Sequence, residues 1–254
     1  MTRHLQKWHG AGNDFLVDVM DHGPALWWTP ERAQAVCDRR TGVGADGLLV
    51  ADVAGPVTMT LFNADGSLAE MSGNGIRCLA AGVRRATAAK WDEIEITTAA
   101  GLRTVTLAMV GNAGRGSVAM GRISALGPIP GALQVVSVGN PHVVVLDKTE
   151  WDDTTRERLA AEWSHAVGGA NVEFIRPEGP NRLVLRVIER GVGWTLACGT
   201  GSCASAFAAR SAGLVGDDVT VENPGGTLTV RLSGDDATLE GPVQFVADVE
   251  WAEE

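Results

Sequence analysis

Polar and apolar residues alternate along residues 93–98 (EIEITT) and 227–232 (TLTVRL), a period of two that predicts half-buried strands. Short apolar runs predict further strands at Phe15 to Val19, Gly47 to Val53 and Val57 to Phe62, and again at His142 to Leu146, Val172 to Ile175 and Arg182 to Ile188. A helix is expected from about Pro30 to Arg39, with Thr29 placed to cap it and Pro30 suited to its first position. A second is expected from about Thr155 to His165. Two alanine-rich helices follow Gly-rich turns, at Gly75 to Ala89 and Gly201 to Ala212.

The same order of elements occurs twice, and so do short motifs. Gly12-Asn13 recurs as Gly139-Asn140, and Thr29-Pro30-Glu31-Arg32 as Thr155-Arg156-Glu157-Arg158. Gly44-Ala45-Asp46 recurs as Gly169-Ala170-Asn171, and Ser72-Gly73-Asn74-Gly75 as Cys198-Gly199-Thr200-Gly201. The offsets are 127, 126, 125 and 126 residues, nearly constant and close to half of 254. The chain is therefore read as two copies of one domain. The copies span residues 1–124 and 125–254 and join in a Gly-rich stretch around Gly121, Gly127-Pro128 and Gly131; the last strand, about 245–254, is placed to pack back on the first copy. The expected class is α+β: two pseudo-symmetric domains, each a mostly antiparallel sheet wrapped around a central helix, with the active site in the cleft between them.

Composition narrows the function. Apolar residues make up 45% of the chain and no long charge block interrupts it, which argues for a folded protein. A net charge of −10 argues against a nucleic-acid surface, which needs clustered Lys and Arg. The N-terminal segment has no apolar core of a secretory signal and no run reaches membrane-spanning length, so neither export nor membrane insertion is expected, and the compartment is read as the cytoplasm. The four cysteines, Cys37, Cys78, Cys198 and Cys203, should then be reduced thiols. They form no C-x-x-C pair, so no structural metal is expected, and a lone cysteine reads first as a small buried residue.

Three glycine motifs call for separate treatment. Residues 42–47 (GVGADG) match a dinucleotide fingerprint as a string, but they follow a helix and lead into a strand, the reverse of the context that fingerprint needs. Tight-turn glycines are the better reading. The turns at 72–75 and 198–201 each open a helix, where converging backbone N–H groups and the positive end of the helix dipole favour a carboxylate. Ordinary helix capping is the plainer alternative. A thiol at Cys198 would have its pKa lowered into the range of about 3.5–7.5, making it a usable base. One proton-transfer group on each side of a bound α-carbon is the layout that inverts a stereocentre.

Taken together, KWHGAGNDF (7–15), DRRTGVGADG (38–47), FNADGS (62–67), EMSGNGIRC (70–78), GNPH (139–142), ANVEF (170–174) and ERGVGWTLACGTGS (189–202) resemble the diaminopimelate epimerase family, in order and through nearly the whole chain. The resemblance implies two similar domains with the active site between them. It implies a two-base 1,1-proton transfer by a cysteine pair, with no pyridoxal phosphate, metal or other cofactor, in lysine and peptidoglycan-precursor synthesis. By position, Cys198 matches the second catalytic cysteine. Asn13, Asn63, Asn140, Asn171, Glu189 and Arg190 match residues that hold the substrate's amino and carboxylate groups, and the N–H groups of Gly73-Asn74 and Gly199-Thr200 match the α-carboxylate cradle. The expected partner is a small amino acid, with no nucleic acid or membrane, and a homodimer is left open.

Two positions depart from the family. Ser72 stands where the first catalytic cysteine is expected, and a hydroxyl is a far weaker acid than a thiol. An installed serine that disarms the site, a natural Ser/Cys epimerase, and altered chemistry (a one-base enzyme, a racemase of another amino acid, or a non-catalytic binder) all follow from it. Trp194 replaces an acidic residue common in relatives and bears on substrate shape. His142 is open between a site and a packing role; His4, His22 and His165 are read as surface residues, and Cys78 and Cys203 as packing.

Overall fold

Two runs of strand and helix, in the same order, build the chain. The computed structural model describes residues 2–21 and 27–252, so His22 lies outside the described residues. The chain divides into unit 1, Met1–Val118 with Gly241–Glu254, and unit 2, Ala119–Glu240.

Unit 1 opens with an antiparallel hairpin of β1 (Thr2–Gly10) and β2 (Asn13–Met20). The chain passes through α1 (Pro30–Cys37) to β3 (Gly47–Asp52), which lies parallel to β2, and turns back in β4 (Thr58–Asn63) and the two-residue β5 (Leu68–Ala69). It passes through α2 (Gly73–Ala86) to β6 (Glu93–Thr98), parallel to β4, and continues into antiparallel β7 (Gly101–Val110) and β8 (Ala113–Arg122). After β9 (Ser124–Gly127) the pattern repeats. The hairpin is β10 (Gln134–Ser137) and β11 (Pro141–Leu146); α3 (Asp153–Ala166) leads to β12 (Asn171–Pro177), parallel to β11. Antiparallel β13 (Arg182–Glu189) and β14 (Gly193–Thr195) follow, and α4 (Gly199–Ser211) leads to β15 (Asp218–Asn223), parallel to β13. β16 (Gly226–Ser233) and β17 (Asp236–Ala252) finish the run. Every pairing in the first run has its counterpart in the second, and each parallel pair is bridged by a helix, as a parallel connection requires. The duplication is thus a property of the fold. Residues 244–252 of β17 pair antiparallel with β1, inside unit 1.

The alanine-rich helices are central. Gly73 to Val83 of α2 are all buried, and α2 touches β1, β2, β3 and β7. Gly199 to Ala209 of α4 are likewise buried, against β10 to β13, β15 and β16. A helix enclosed on nearly every side can keep only small residues where strands approach; a Cβ on Gly82 would stand 2.8 Å from Val17 Cγ1. α1 and α3 cover the other face of their sheets. Leu16, Leu48, Val50 and Phe62 pack with Ala33 and Val36 of α1, and Val143, Val145, Val172 and Phe174 pack with Ala160 of α3.

Helix ends differ slightly from expectation. α1 stops at Cys37, two residues short of Arg39, because Asp38 is extended and its Oδ1 accepts from the N–H groups of Arg40 and Thr41. α2 and α4 begin two residues early, so the glycines form the first helical turn. Gly42 to Asp46 connect α1 to β3, the context that excludes a dinucleotide fingerprint. Among the described residues no helix is long and apolar enough to cross a membrane.

Candidate active site

The two enclosed helices begin in the same way. Ser72 is the N-cap of α2, with φ −138° and ψ 121°, and its Oγ accepts from the Gly75 N–H at 3.0 Å. Cys198 is the N-cap of α4, with φ −126° and ψ 118°, and its Sγ accepts from the Gly201 N–H at 3.4 Å. Glycine at the third helical position is a packing requirement. A Cβ on Gly75 would lie 3.0 Å from Ser72 Cβ, and one on Gly201 would lie 3.2 Å from Cys198 Sγ and 2.7 Å from Glu173 Oε1.

The fold explains which side chains reach Cys198. Along β12, Val172 and Phe174 point toward α3, so by the two-residue period of a strand Asn171 and Glu173 share the opposite face, where α4 packs. His142 lies on the same side of β11. It is fully buried, with Nδ1 2.7 Å from Glu173 Oε1 and Nε2 2.9 Å from Asn140 Oδ1. Its open assignment thus resolves to a buried position. At the end of β13, Glu189 Oε1 accepts from Thr195 Oγ1 at 2.5 Å. Asn171 Oδ1 accepts from the Arg190 N–H at 2.9 Å, while the Arg190 side chain is exposed and lies over Gly169. Thr200 Oγ1 is 3.5 Å from Cys198 Sγ.

The electrostatics correct one expectation. Burial pushes the Cys198 thiol well above its ordinary value, and the neighbouring Glu189 and Glu173 carboxylates push it further; contacts with Thr200 and the Gly201 N–H act the other way and are outweighed. The helix start therefore does not hold a ready thiolate, and Cys198 rests as a thiol. Glu189 is also raised, first by burial, against the hydrogen bonds it receives from Thr195 and Cys198. A half-buried carboxyl with raised affinity for a proton, next to a thiol, can serve as its acid–base partner.

In unit 1 the amides are held by a charged network. Asn13 Nδ2 donates to Asp46 Oδ2 at 2.8 Å, and Asn74 Nδ2 donates to Asn13 Oδ1 at 3.3 Å. Asn74 Oδ1 accepts from Arg77 Nη2 at 2.7 Å, and Arg77 Nη1 donates to the Gly73 carbonyl at 2.8 Å. Asp14 pairs with Lys7 at 2.8 Å and Arg39 at 2.5 Å, and Arg39 also reaches Asp46 at 2.7 Å. Burial raises the Asp14 carboxyl, but the two cations outweigh it and hold it below the usual carboxylate value. Asn63 closes β4, its Nδ2 donating to Ser67 Oγ at 3.0 Å. Lys7, Asp14, Arg39, Asp46, Arg77 and Glu173 were not singled out from the sequence, although all lie inside motif stretches that were. What was missing was the tertiary contact that joins them, since Lys7, Asp14 and Glu173 lie on strands, Arg39 and Asp46 between α1 and β3, and Arg77 on α2.

The remaining residues fall elsewhere. Trp194 donates from Nε1 to Glu157 Oε1 at 2.8 Å, stacks under Arg186 and packs on the α3 side near Phe174. It faces away from Cys198. Cys37, Cys78 and Cys203 are buried in packing positions, and burial pushes Cys37 and Cys78 each up to about 12. His4 and His165 are exposed. Among the described residues no group of three or more His, Cys, Asp or Glu is placed to hold a metal ion.

Comparison with known proteins bears on this arrangement. The family model described as diaminopimelate epimerase matches residues 5–126 and 134–246, one segment per repeat. The diaminopimelate epimerase of Desulforudis audaxviator (strain MP104C) is 38% identical, covering 96% of this chain and 98% of its own. That of Synechococcus sp. (strain JA-3-3Ab) is 40% identical over 91% of each. The chain belongs to the diaminopimelate epimerase family. Solved structures at low identity show the fold alone. A predicted epimerase from Pseudomonas aeruginosa aligns with a TM-score of 0.78 at 14% identity, over 99% of this chain and 100% of that one. A hydroxyproline epimerase from Agrobacterium vitis aligns at 0.68 and 15%, over 98% and 91%.

Proposed function

We propose that this protein interconverts LL- and meso-2,6-diaminopimelate, with Cys198 and Ser72 as the groups that move the α-proton. The observation that carries the reading is the equivalence of these two residues as N-caps of α4 and α2 in a duplicated fold. Inversion needs one proton-transfer group for each face of the α-carbon, and the duplication supplies one cap residue per unit. The N–H groups of Gly73, Asn74, Gly199 and Thr200 receive the α-carboxylate, whose charge grows as the α-proton leaves. Asn13, Asn63, Asn140, Asn171, Glu189 and Arg190 hold the substrate's other amino and carboxylate groups, a set with amide donors and acceptors, one cation and one anion.

Glu189 first takes the Cys198 thiol proton, and the thiolate then removes the α-proton. The Ser72 hydroxyl delivers its proton to the opposite face of the carbanion; the alkoxide left behind recovers a proton from water, and Glu189 gives up the thiol proton to the hydroxide so formed, which restores both groups. Protonating a carbanion suits a hydroxyl; acting as base from rest does not, so Ser72 is the slow partner. Such a substrate places the enzyme in lysine and peptidoglycan-precursor synthesis, in the cytoplasm. In deuterated water the purified protein should exchange the substrate α-hydrogen and interconvert the two isomers. Activity on a monocarboxylic amino acid with none on diaminopimelate would overturn the assignment, and exchange without inversion would leave Cys198 as a lone base.

A further inference from the structure

We propose that Glu173 is a positioning residue which, through His142, sets the direction in which the Asn140 amide faces. Two contacts place the hydrogens. Asn140 Oδ1 can only accept, so His142 Nε2, 2.9 Å away, carries a hydrogen and donates it. Nδ1 and Glu173 Oε1, 2.7 Å apart, share the next one. With its oxygen engaged by the ring, Asn140 presents its NH2 group outward, as a donor for an acceptor on the ligand.

The second repeat carries this chain and the first does not. Gly201 at the start of α4 meets Glu173 Oε1, whereas its equivalent Gly75 meets Leu49 Cδ2. His142 follows Asn140 by two residues, as Phe15 follows Asn13, and Phe15 and Leu49 are both buried. The fold therefore accepts an apolar pair at these positions. Glu173 is fully buried and its Oε2 has no hydrogen-bond partner among the described residues. A buried carboxyl group left half-satisfied is a net burden on stability where leucine would fit. Its retention points to a task outside packing. Glu189 and the Cys198 thiol are the other titratable groups on this face; Glu173 reaches that thiol only through its charge, whereas it touches the His142 ring directly and the ring touches Asn140.

The test compares Glu173→Leu, the side chain the sister repeat uses, with Glu173→Gln, whose amide can still hydrogen-bond Nδ1. Nitrogen-15 spectra of the His142 ring, assigned with His142→Gln, report whether Nε2 is protonated, and the Asn140 side-chain amide signals report its orientation. Glu173→Leu should lose the single Nε2–H form and broaden the Asn140 amide while its Tm holds or rises. Glu173→Gln should keep both signals. The kinetic arm rests on the diaminopimelate reading: KM should rise about tenfold in Glu173→Leu, the worth of one hydrogen bond to the substrate, and Glu173→Gln should recover KM, while kcat, which feels the charge beside Cys198, should move alike in both variants. A fall in Tm with ring and amide signals intact would mean a packing role and overturn the proposal. So would unchanged signals in Glu173→Leu, or a KM in Glu173→Gln as high as in Glu173→Leu. If no variant turns over diaminopimelate, the functional assignment fails while the spectra still decide the role of Glu173.

Discussion

Replacing Ser72 with cysteine changes one atom at the N-cap of α2 and should move activity and stability in opposite directions. On the activity side, a positioned acid or base contributes about 10²–10⁴-fold, and a hydroxyl supplies little of that as a base. Ser72→Cys should therefore raise turnover by about a hundredfold or more. The sister site shows that sulfur fits such a cap, since Cys198 holds similar backbone angles and accepts from the same third residue of its helix. Stability should fall, because sulfur is a weak acceptor: the cap bond is 3.0 Å to Ser72 Oγ but 3.4 Å to Cys198 Sγ. Losing a serine cap altogether costs about 1 kcal/mol, which bounds the effect from above. In a chain of this size that amounts to a Tm lower by no more than roughly 2–4 °C. Isomer interconversion and thermal melts on matched samples measure both. A gain in turnover well short of tenfold, with the new thiol shown to be reactive toward an alkylating agent, would refute the role given to Ser72; a rise in Tm would refute the capping argument.

Gly201→Ala would place a methyl 2.7 Å from Glu173 Oε1 and 3.2 Å from Cys198 Sγ, so overpacking of about 1–3 kcal/mol should exceed the helix-propensity gain and depress exchange of the α-hydrogen, read by melting and by deuterium incorporation. Trp194→Leu removes the bond to Glu157 and the Arg186 stack on the α3 side, and should lower Tm while leaving KM unchanged; a rise in KM would put Trp194 in contact with substrate. Glu189 must be ionised to take the thiol proton, and burial raises its carboxyl above 4.5, so kcat should climb with pH along a limb displaced upward from that value and Glu189→Gln should abolish it. Asp14 has a folded-state value below 3.8, so its contribution to stability is present above 3.8 and lost as pH falls through the folded value. Asp14→Asn should melt lower at neutral pH and converge with the parent in acid.

Much of this protein is written in local sequence. Alternation and apolar runs located β2, β3, β4, β6, β11, β12, β13 and β16, because a strand half covered by a helix must repeat every two residues. The near-constant offset between motifs exposed the duplication, since equivalent turns need the same glycines wherever they recur. Capping chemistry placed Ser72 and Cys198 at helix starts, because an N-cap is a local hydrogen bond between residues three apart. What the sequence left open depends on contacts between residues distant along the chain. The identity of the groups around Cys198 follows from the register of β11, β12 and β13, which sets Glu173, His142 and Glu189 on the α4 face and turns Trp194 toward α3. The helix start alone argued for a thiolate. Enclosure by strands and two neighbouring carboxyl groups decided for a thiol, because removing water from a thiolate outweighs the hydrogen bonds from Thr200 and the Gly201 N–H.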